Sequence, residues 1–248
     1  MIYERKKQMT YNDIDAFEKI SLIALLKYMT EANWENAEEL GIGISLIPQT
    51  GLAFVTQRIG LKIHQLPTLG DLFTIRTWPA GQNRLTFVRK GEFLNAAGEK
   101  LIEWESLWVL IDINERKIKR PSELAMDVPL YGDLGVEVTT QKIKLPDPSQ
   151  IKSTTSYTHH VDFSDLDFYK HMSNTIYANL ISNVYRRFNH DATFMKEGAE
   201  IQFNYLNEGQ IDDEVLVTLN ELEDQLFIVG TTASHTVFTA EITYKESM

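Results

Sequence analysis

Cysteine is absent from all 248 residues of the chain. That removes disulfides, thiolate metal sites and a cysteine nucleophile together. Long apolar runs are absent as well: nothing approaches the ~18 consecutive apolar residues of a membrane span. The segment Met1 to Lys7 is charged and lacks the apolar core of a secretory leader. Cations are in short supply, with 24 Lys and Arg against 35 Asp and Glu, for a net charge of −11. A chain this acidic is not expected to take nucleic acid as its general partner, because phosphate contacts need a basic surface. There is no G-x-S-x-G nucleophile elbow, which argues against a serine α/β-hydrolase, and no phosphate loop or nucleotide fingerprint. What is present is 43% apolar sequence, enough to bury a sizeable core as one large domain or two of ~120 residues. A cytoplasmic protein with no cofactor and no metal is the expectation.

The rest of the chain is organised around Phe163-Ser164-Asp165-Leu166-Asp167-Phe168-Tyr169-Lys170-His171-Met172-Ser173. It sets two carboxylates and a histidine in a turn ahead of a helix pattern, with Ile176, Tyr177, Leu180, Ile181, Val184 and Phe188 on one stripe. The expected helix is 173–189, with Ser173 at its N-cap. Orphan N–H groups and the helix dipole then favour developing negative charge beside these side chains. A weaker copy occurs at Tyr11–Ser21, where Asp13, Asp15 and Ser21 align without a gap to Asp165, Asp167 and Ser173. The spacing, 165 − 13 = 152 residues, points to a duplicated domain. Lys19 stands where the second copy has His171.

In the first half, a helix is expected over 21–40, stopped by Gly41. Apolar residues on most of its sides suggest burial nearly all round. Strand alternation follows over Ala53–Ile63, interrupted at Gln57, then over Leu72–Trp78, Arg84–Leu94 and a long run through Trp104 and Trp108 to Ile113. Pro121, Pro129, Pro146, Pro148, Gly132 and Gly135 mark a linker. The second half repeats the plan: a strand over Thr154–Phe163, the helix, and strands near 199–206, 214–221, 225–233 and 235–244. Gly70–Ile75 matches Asp212–Val217, an alignment that sets Leu66 against Glu208. A helix apolar on most sides must be wrapped by its sheet. The expected fold is therefore α+β, a double hot dog: 1–120 one unit, 121–150 the linker, 151–248 the second unit.

At this point the chain resembles the acyl-ACP thioesterases of bacteria and plant plastids over nearly its whole length. In the first half the resemblance rests on Leu52–Val55, Gly70-Asp71, Trp78-Pro79 and Trp108–Asp112. In the second it rests on the pattern D-x-D-x-N-x-H-x-N-N-x-x-Y, met by Asp165, Asp167, His171, Asn174 and Tyr177, and on Y-x-x-E, met by Tyr205 and Glu208. The family's asparagine two residues before the histidine is Tyr169, the first of its asparagine pair is Ser173, and the cysteine that often follows the glutamate in plant members is Gly209.

The resemblance implies hydrolysis of a fatty acyl-ACP thioester. Acyl carrier protein and its acyl-phosphopantetheine arm would be the partners, and the first half would shape the acyl pocket. Glu208 and His171 are expected to activate water, histidine being suited to proton transfer near neutral pH. Asp167 either orients His171 or attacks the carbonyl. Tyr169 occupies the weakest position of the match. Ser173 and Asn174 are substrate-binding candidates at the helix start, and Met29 and Trp34 are candidates for the acyl pocket, with core packing the competing role. An acyl-CoA thioesterase and a non-catalytic acyl or carrier-protein binding module are the alternatives, and a homodimer is open.

Other polar residues read more simply. Holding a tight turn is the competing role for Asp167, His171 and Glu208. His159 and His160 point to opposite faces of a strand, a poor metal pair. His64, His190 and His235 have no partner pattern. Cations cluster at Arg116, Lys117, Lys119 and Arg120, at Arg84, Arg89 and Lys90, and at Arg186 and Arg187. Each is a candidate for docking an acidic carrier, against ordinary solvated charge.

Overall fold

The computed structural model describes residues 2–124 and 126–244. In the first half β1 (Tyr3–Gln8) is followed by a 3₁₀ turn, α1 (Leu22–Glu39), a single helical turn α2 (Ile47–Thr50), β2 (Leu52–Ile63), β3 (Leu72–Gln82), β4 (Thr86–Leu94), β5 (Lys100–Asp112) and β6 (Lys117–Lys119). In the second half β7 (Ser153–His160) and a 3₁₀ turn precede α3 (Ile176–Phe188), β8 (Ala199–Tyr205), β9 (Glu214–Glu221), β10 (Gln225–Thr231) and β11 (Thr236–Tyr244).

One antiparallel sheet runs through both halves in the order β1-β3-β4-β5-β2-β8-β11-β10-β9-β7, with β6 attached to β5. Read from either edge to the middle, the two halves have the same plan. They meet at the β2–β8 pairing, Arg58 to Lys62 against Asn204 to Glu200. Both long helices join one core with the inner face of this sheet. The tandem hot-dog reading of the sequence is the observed fold.

Local chemistry explains most of the boundaries. Ser21 caps α1 by accepting from the Ala24 N–H at 3.3 Å, and Gly41 ends it at φ 72°. The N-terminal half of α1 is sunk into the core through Leu22, Leu25, Leu26 and Met29, but Lys27, Glu31, Trp34 and Glu39 face out. The helix is therefore not buried all round. The interruption at Gln57 is a β-bulge, since the β2–β5 register shifts between Thr56 and Arg58. Each half also sets a glycine opposite a large inward aromatic: Gly91 faces Trp104 and Gly230 faces Phe238. An added Cβ would lie 2.2 Å from the ring at both places.

Two further expectations need correction. β7 stops at His160, and Phe163–Asp165 is a 3₁₀ turn rather than strand. α3 begins at Ile176, with Thr175 at its N-cap, so Ser173 is not the cap. The Ser173 hydroxyl instead lies 3.0 Å from the Thr175 hydroxyl, in a turn ahead of the helix. The edge strands β1 and β6 carry no alternating apolar pattern and were not anticipated.

The segment between the halves is strapped to the outer face of the sheet. Val136 and Val138 pack on Trp78 and Ala80, and the Trp78 indole donates to Gly132 O at 2.8 Å. Trp78 is buried, but beneath this strap and not in the core between helix and sheet. Glu105 accepts from the Thr140 N–H at 2.8 Å. Gln202 accepts from Gln141 N at 3.0 Å and donates to Thr139 O at 3.0 Å. Asn204 accepts from Ile143 N at 3.1 Å and donates to Gln141 O at 2.9 Å. These side-chain amides do for the strap what a neighbouring strand would do.

Candidate active site

The two copies of the D-x-D loop adopt one conformation. In the first, Asp15 Oδ1 accepts from Phe17 N at 2.9 Å and Lys19 N at 3.1 Å. In the second, Asp167 Oδ1 accepts from Tyr169 N at 2.8 Å and His171 N at 3.4 Å. Glu18 and Lys170, one residue before Lys19 and His171, both have left-handed backbone at φ 58° and 64°. Ser21 N donates to Asp13 O and Ser173 N to Asp165 O, at 2.8 and 2.9 Å. The aspartates thus fold the loop in both halves. The Asp167 carboxylate is bonded to loop backbone, including that of His171, and not to the imidazole.

Only the second loop carries a histidine, and a second segment is clamped against it. Met172 N donates to Gly209 O at 2.8 Å. The Tyr205 hydroxyl donates to Asn174 O at 3.3 Å. Burial pushes the Tyr205 phenol far above its ordinary range, so it remains a neutral donor. These contacts tie the end of β8 to the turn before α3 and bring Glu208 Oε2 within 3.2 Å of His171 Nε2. The pair is partly open to solvent, with side-chain exposures of 28% for His171 and 48% for Glu208. An acid–base pair at that separation can move a proton to or from a bound water.

A third group, one of the cationic cluster 116–120, completes the site. Arg116, in the β5–β6 turn of the first half at φ 53°, donates to Glu208 Oε2 at 2.5 Å and lies 3.4 Å from His171 Nε2. Its sole visible signal was membership of a cationic cluster. His235, which has no partner pattern in the sequence, sets its Nε2 3.4 Å from the Glu208 carbonyl oxygen.

The remaining candidates are dispersed. Tyr169 makes no hydrogen bond through its hydroxyl among the described residues. Partial burial, then the Asp167 and Glu38 carboxylates, push the phenol up. Trp34 is 48% exposed on α1 and donates to Glu38 at 3.2 Å. Met29 is 1% exposed in the shared core. Ser173 and Asn174 form the turn at the start of α3, and the Asn174 N–H has no acceptor among the described residues.

Of the three cationic clusters only one is partly withdrawn from the surface, since Arg84, Arg186 and Arg187 are exposed. Arg89 and Lys90 are buried. Arg186 lies over the Phe17 ring at 5.6 Å, and Arg187 over Tyr157 at 4.2 Å. His159 meets Asp165 at 2.8 Å and His160 meets Glu214 at 2.9 Å, on separate faces. No group of three or more metal-ligating side chains occurs among the described residues, and no described helix is long and apolar enough to cross a membrane.

Fold and site define a class: a tandem hot-dog protein in which His171 and Glu208 of the second repeat meet at 3.2 Å, with Arg116 of the first repeat beside them. The N-terminal domain of acyl-ACP thioesterase matches residues 1–127 and its C-terminal domain matches residues 148–245. The chain belongs to the acyl-ACP thioesterase family, enzymes that hydrolyse fatty acyl-ACP thioesters. Among solved structures, an acyl-ACP thioesterase from Bacteroides thetaiotaomicron is similar at 18% identity and TM-score 0.80, with 98% of each chain covered. A 12:0-ACP thioesterase from Umbellularia californica gives 17% identity and TM-score 0.80, over 99% of this chain and 98% of that one. An oleoyl thioesterase from Lactobacillus plantarum gives 20% and 0.75, over 99% and 98%. No curated protein matches the chain.

Proposed function

We propose that Glu208 and His171 are the catalytic pair of this thioesterase. Water attacks the acyl carbonyl carbon while the pair takes its proton. The thioester C–S bond then breaks, the proton passes to the departing sulfur, and the products are a free fatty acid and the carrier thiol. The contact at 3.2 Å between side chains from two separate segments carries this reading. Asp167 has the role of loop former: it holds the His171 backbone, and so the imidazole, in place. Arg116 acts through Glu208 as a positioning residue that aims its carboxylate. The open Asn174 N–H ahead of α3 is a donor for the oxyanion, in keeping with backbone donors at helix starts. Residues 1–120 take the acyl side, 151–248 supply the catalytic pair, and the acyl carrier protein presents the thioester through its phosphopantetheine arm.

The test is hydrolysis of acyl-ACP and acyl-CoA panels by the unmodified protein, His171→Ala and Glu208→Ala. Each substitution is expected to lower kcat by ~10²-fold or more with the melting curve retained. Full activity in either variant removes that residue from the mechanism. Faster turnover of acyl-CoA than acyl-ACP overturns the carrier assignment, and binding without turnover makes the protein a binding module.

A further inference from the structure

The first half holds a polar belt that the second half lacks. On the inner face Thr77 pairs with Gly91 and Arg89 with Ser106. At the equivalent register positions of the second half, Val217 pairs with Gly230 and Ile228 with Ala240. The repeat therefore places a plain aliphatic set, all 0% exposed, where the first half has Thr77, Arg89 and Ser106. Two α1 residues, Asn33 and Asn36, face the same belt. Thr77 Oγ1 lies 2.9 Å from Asn33 Oδ1, and Arg89 donates to Asn36 Oδ1 at 2.8 Å. One apolar cluster lies to the side of Met29, Phe93 and Trp104, and another to the side of Leu46, Phe87 and Leu110.

Donors outnumber acceptors in this belt. Arg89 is 7% exposed, and no carboxylate lies within ion-pair reach among the described residues. Its partners are neutral: Asn36, and Thr77 Oγ1 at 3.4 Å. Burial alone pushes it down to about 10, with no carboxylate to oppose the shift. Arg89 Nε and Nη2 and Asn33 Nδ2 bond to no described residue and keep some solvent contact. Of the belt's donors the Trp104 indole N–H, on the inner-face pair next to Arg89–Ser106, is the one that is fully buried and unpaired among the described residues. A buried cation without an anion is costly, as are buried donors without acceptors. The sibling repeat shows that the fold itself closes with aliphatic residues here.

We propose that the Arg89 belt is a binding site for an acceptor oxygen carried on the acyl chain far from the thioester, as a hydroxyl, oxo or carboxylate group. This rests on the reading that the first half receives the acyl chain. The protein would then favour oxygenated acyl chains over plain ones of the same length.

Two measurements separate this idea from the catalytic assignment. In the first, free plain, ω-hydroxy and α,ω-dicarboxylic fatty acids of matched lengths are titrated against the intact protein by thermal shift or calorimetry. No turnover is needed. The oxygenated acids are expected to bind roughly 10-fold or more tightly than the plain acid, the scale of a hydrogen bond to a charged group. Arg89→Met should abolish that preference, and Thr77→Val, which copies the second repeat, should weaken it while leaving the guanidinium in place. If Arg89→Met does not fold, Thr77→Val decides the question. In the second, kcat/KM for plain and oxygenated acyl-ACP should show the same preference. Equal binding of plain and oxygenated acids overturns the proposal. So does competition by chloride or inorganic phosphate that removes all discrimination, which identifies a small-anion site only. Failure to hydrolyse any acyl-ACP, with Arg89-dependent binding intact, sinks the catalytic reading and leaves this one standing.

Discussion

Arg116 and Glu208 form an ion pair with side-chain exposures of 62% and 48%. Exposed pairs contribute ~0.2–1 kcal/mol to stability, so Arg116→Ala should leave the melting temperature nearly unchanged. Its effect belongs in the chemistry. Without the guanidinium the Glu208 carboxylate loses its anchor, and kcat should fall roughly 10-fold, equivalent to about 1.4 kcal/mol of barrier. KM should change little, and Arg116→Lys should recover part of the loss. Equal kcat in Arg116→Ala and the unmodified enzyme dismisses the positioning role. Tyr169 poses the opposite case. Its hydroxyl bonds to nothing among the described residues, and its charged neighbours are Asp167 and Glu38. Tyr169→Phe should therefore hold kcat within about twofold, a change under ~0.5 kcal/mol. Tyr169→Asn restores the amide of the family pattern beside His171 and should raise turnover. Loss of activity in either variant makes the phenol catalytic and the present assignment wrong.

The duplicated loop sets the tests at the scale of elements. Asp15 accepts two backbone N–H groups of its own loop, so Asp15→Ala leaves both unsatisfied. At ~0.5–1.5 kcal/mol per bond and ~2–4 °C per kcal/mol in a chain this size, melting should drop by several degrees with kcat unchanged. Asp167→Ala should lose similar stability and, in addition, activity, because His171 sits on that loop. A destabilised Asp167→Ala enzyme with full kcat would separate loop from chemistry. Gly91→Ala and Gly230→Ala should each destabilise by ~1–3 kcal/mol, the cost of overpacking against a ring that cannot move aside, read by denaturant unfolding. These elements also show what the sequence made legible. The stripe of α3 and the inward alternation of β2 to β5 are periodic because one side of each packs into the apolar core, so they could be read directly. β1, with sequence YERKKQ and mostly exposed side chains, has no buried face to impose a pattern. Ser173 looked like Ser21 because the two loops match through that residue, yet α3 starts after an extra turn. His171 and Glu208 stood out because the repeat lacked them. Arg116 did not, since its role depends on a turn in one repeat reaching a segment of the other, which no local spacing encodes.

At the scale of the whole molecule, duplication has let the halves diverge around one backbone. The second carries the histidine and glutamate, while the first carries the buried arginine belt. The sheet is continuous through β2 and β8, and Arg116 adds a contact between halves at the site itself. The strap adds a third connection, gripped by Glu105 from the first half and by Gln202 and Asn204 from the second. It is a splint across the seam, and a splint does not need an unbroken chain. Cutting between Lys144 and Leu145, both exposed, leaves every one of those hydrogen bonds in place. The two fragments, expressed together, should copurify as one particle and turn over substrate like the intact enzyme. Each fragment made alone would present a bare sheet edge and should aggregate. Gene fusion, on this view, fixed the stoichiometry of two subunits that noncovalent contacts already hold together.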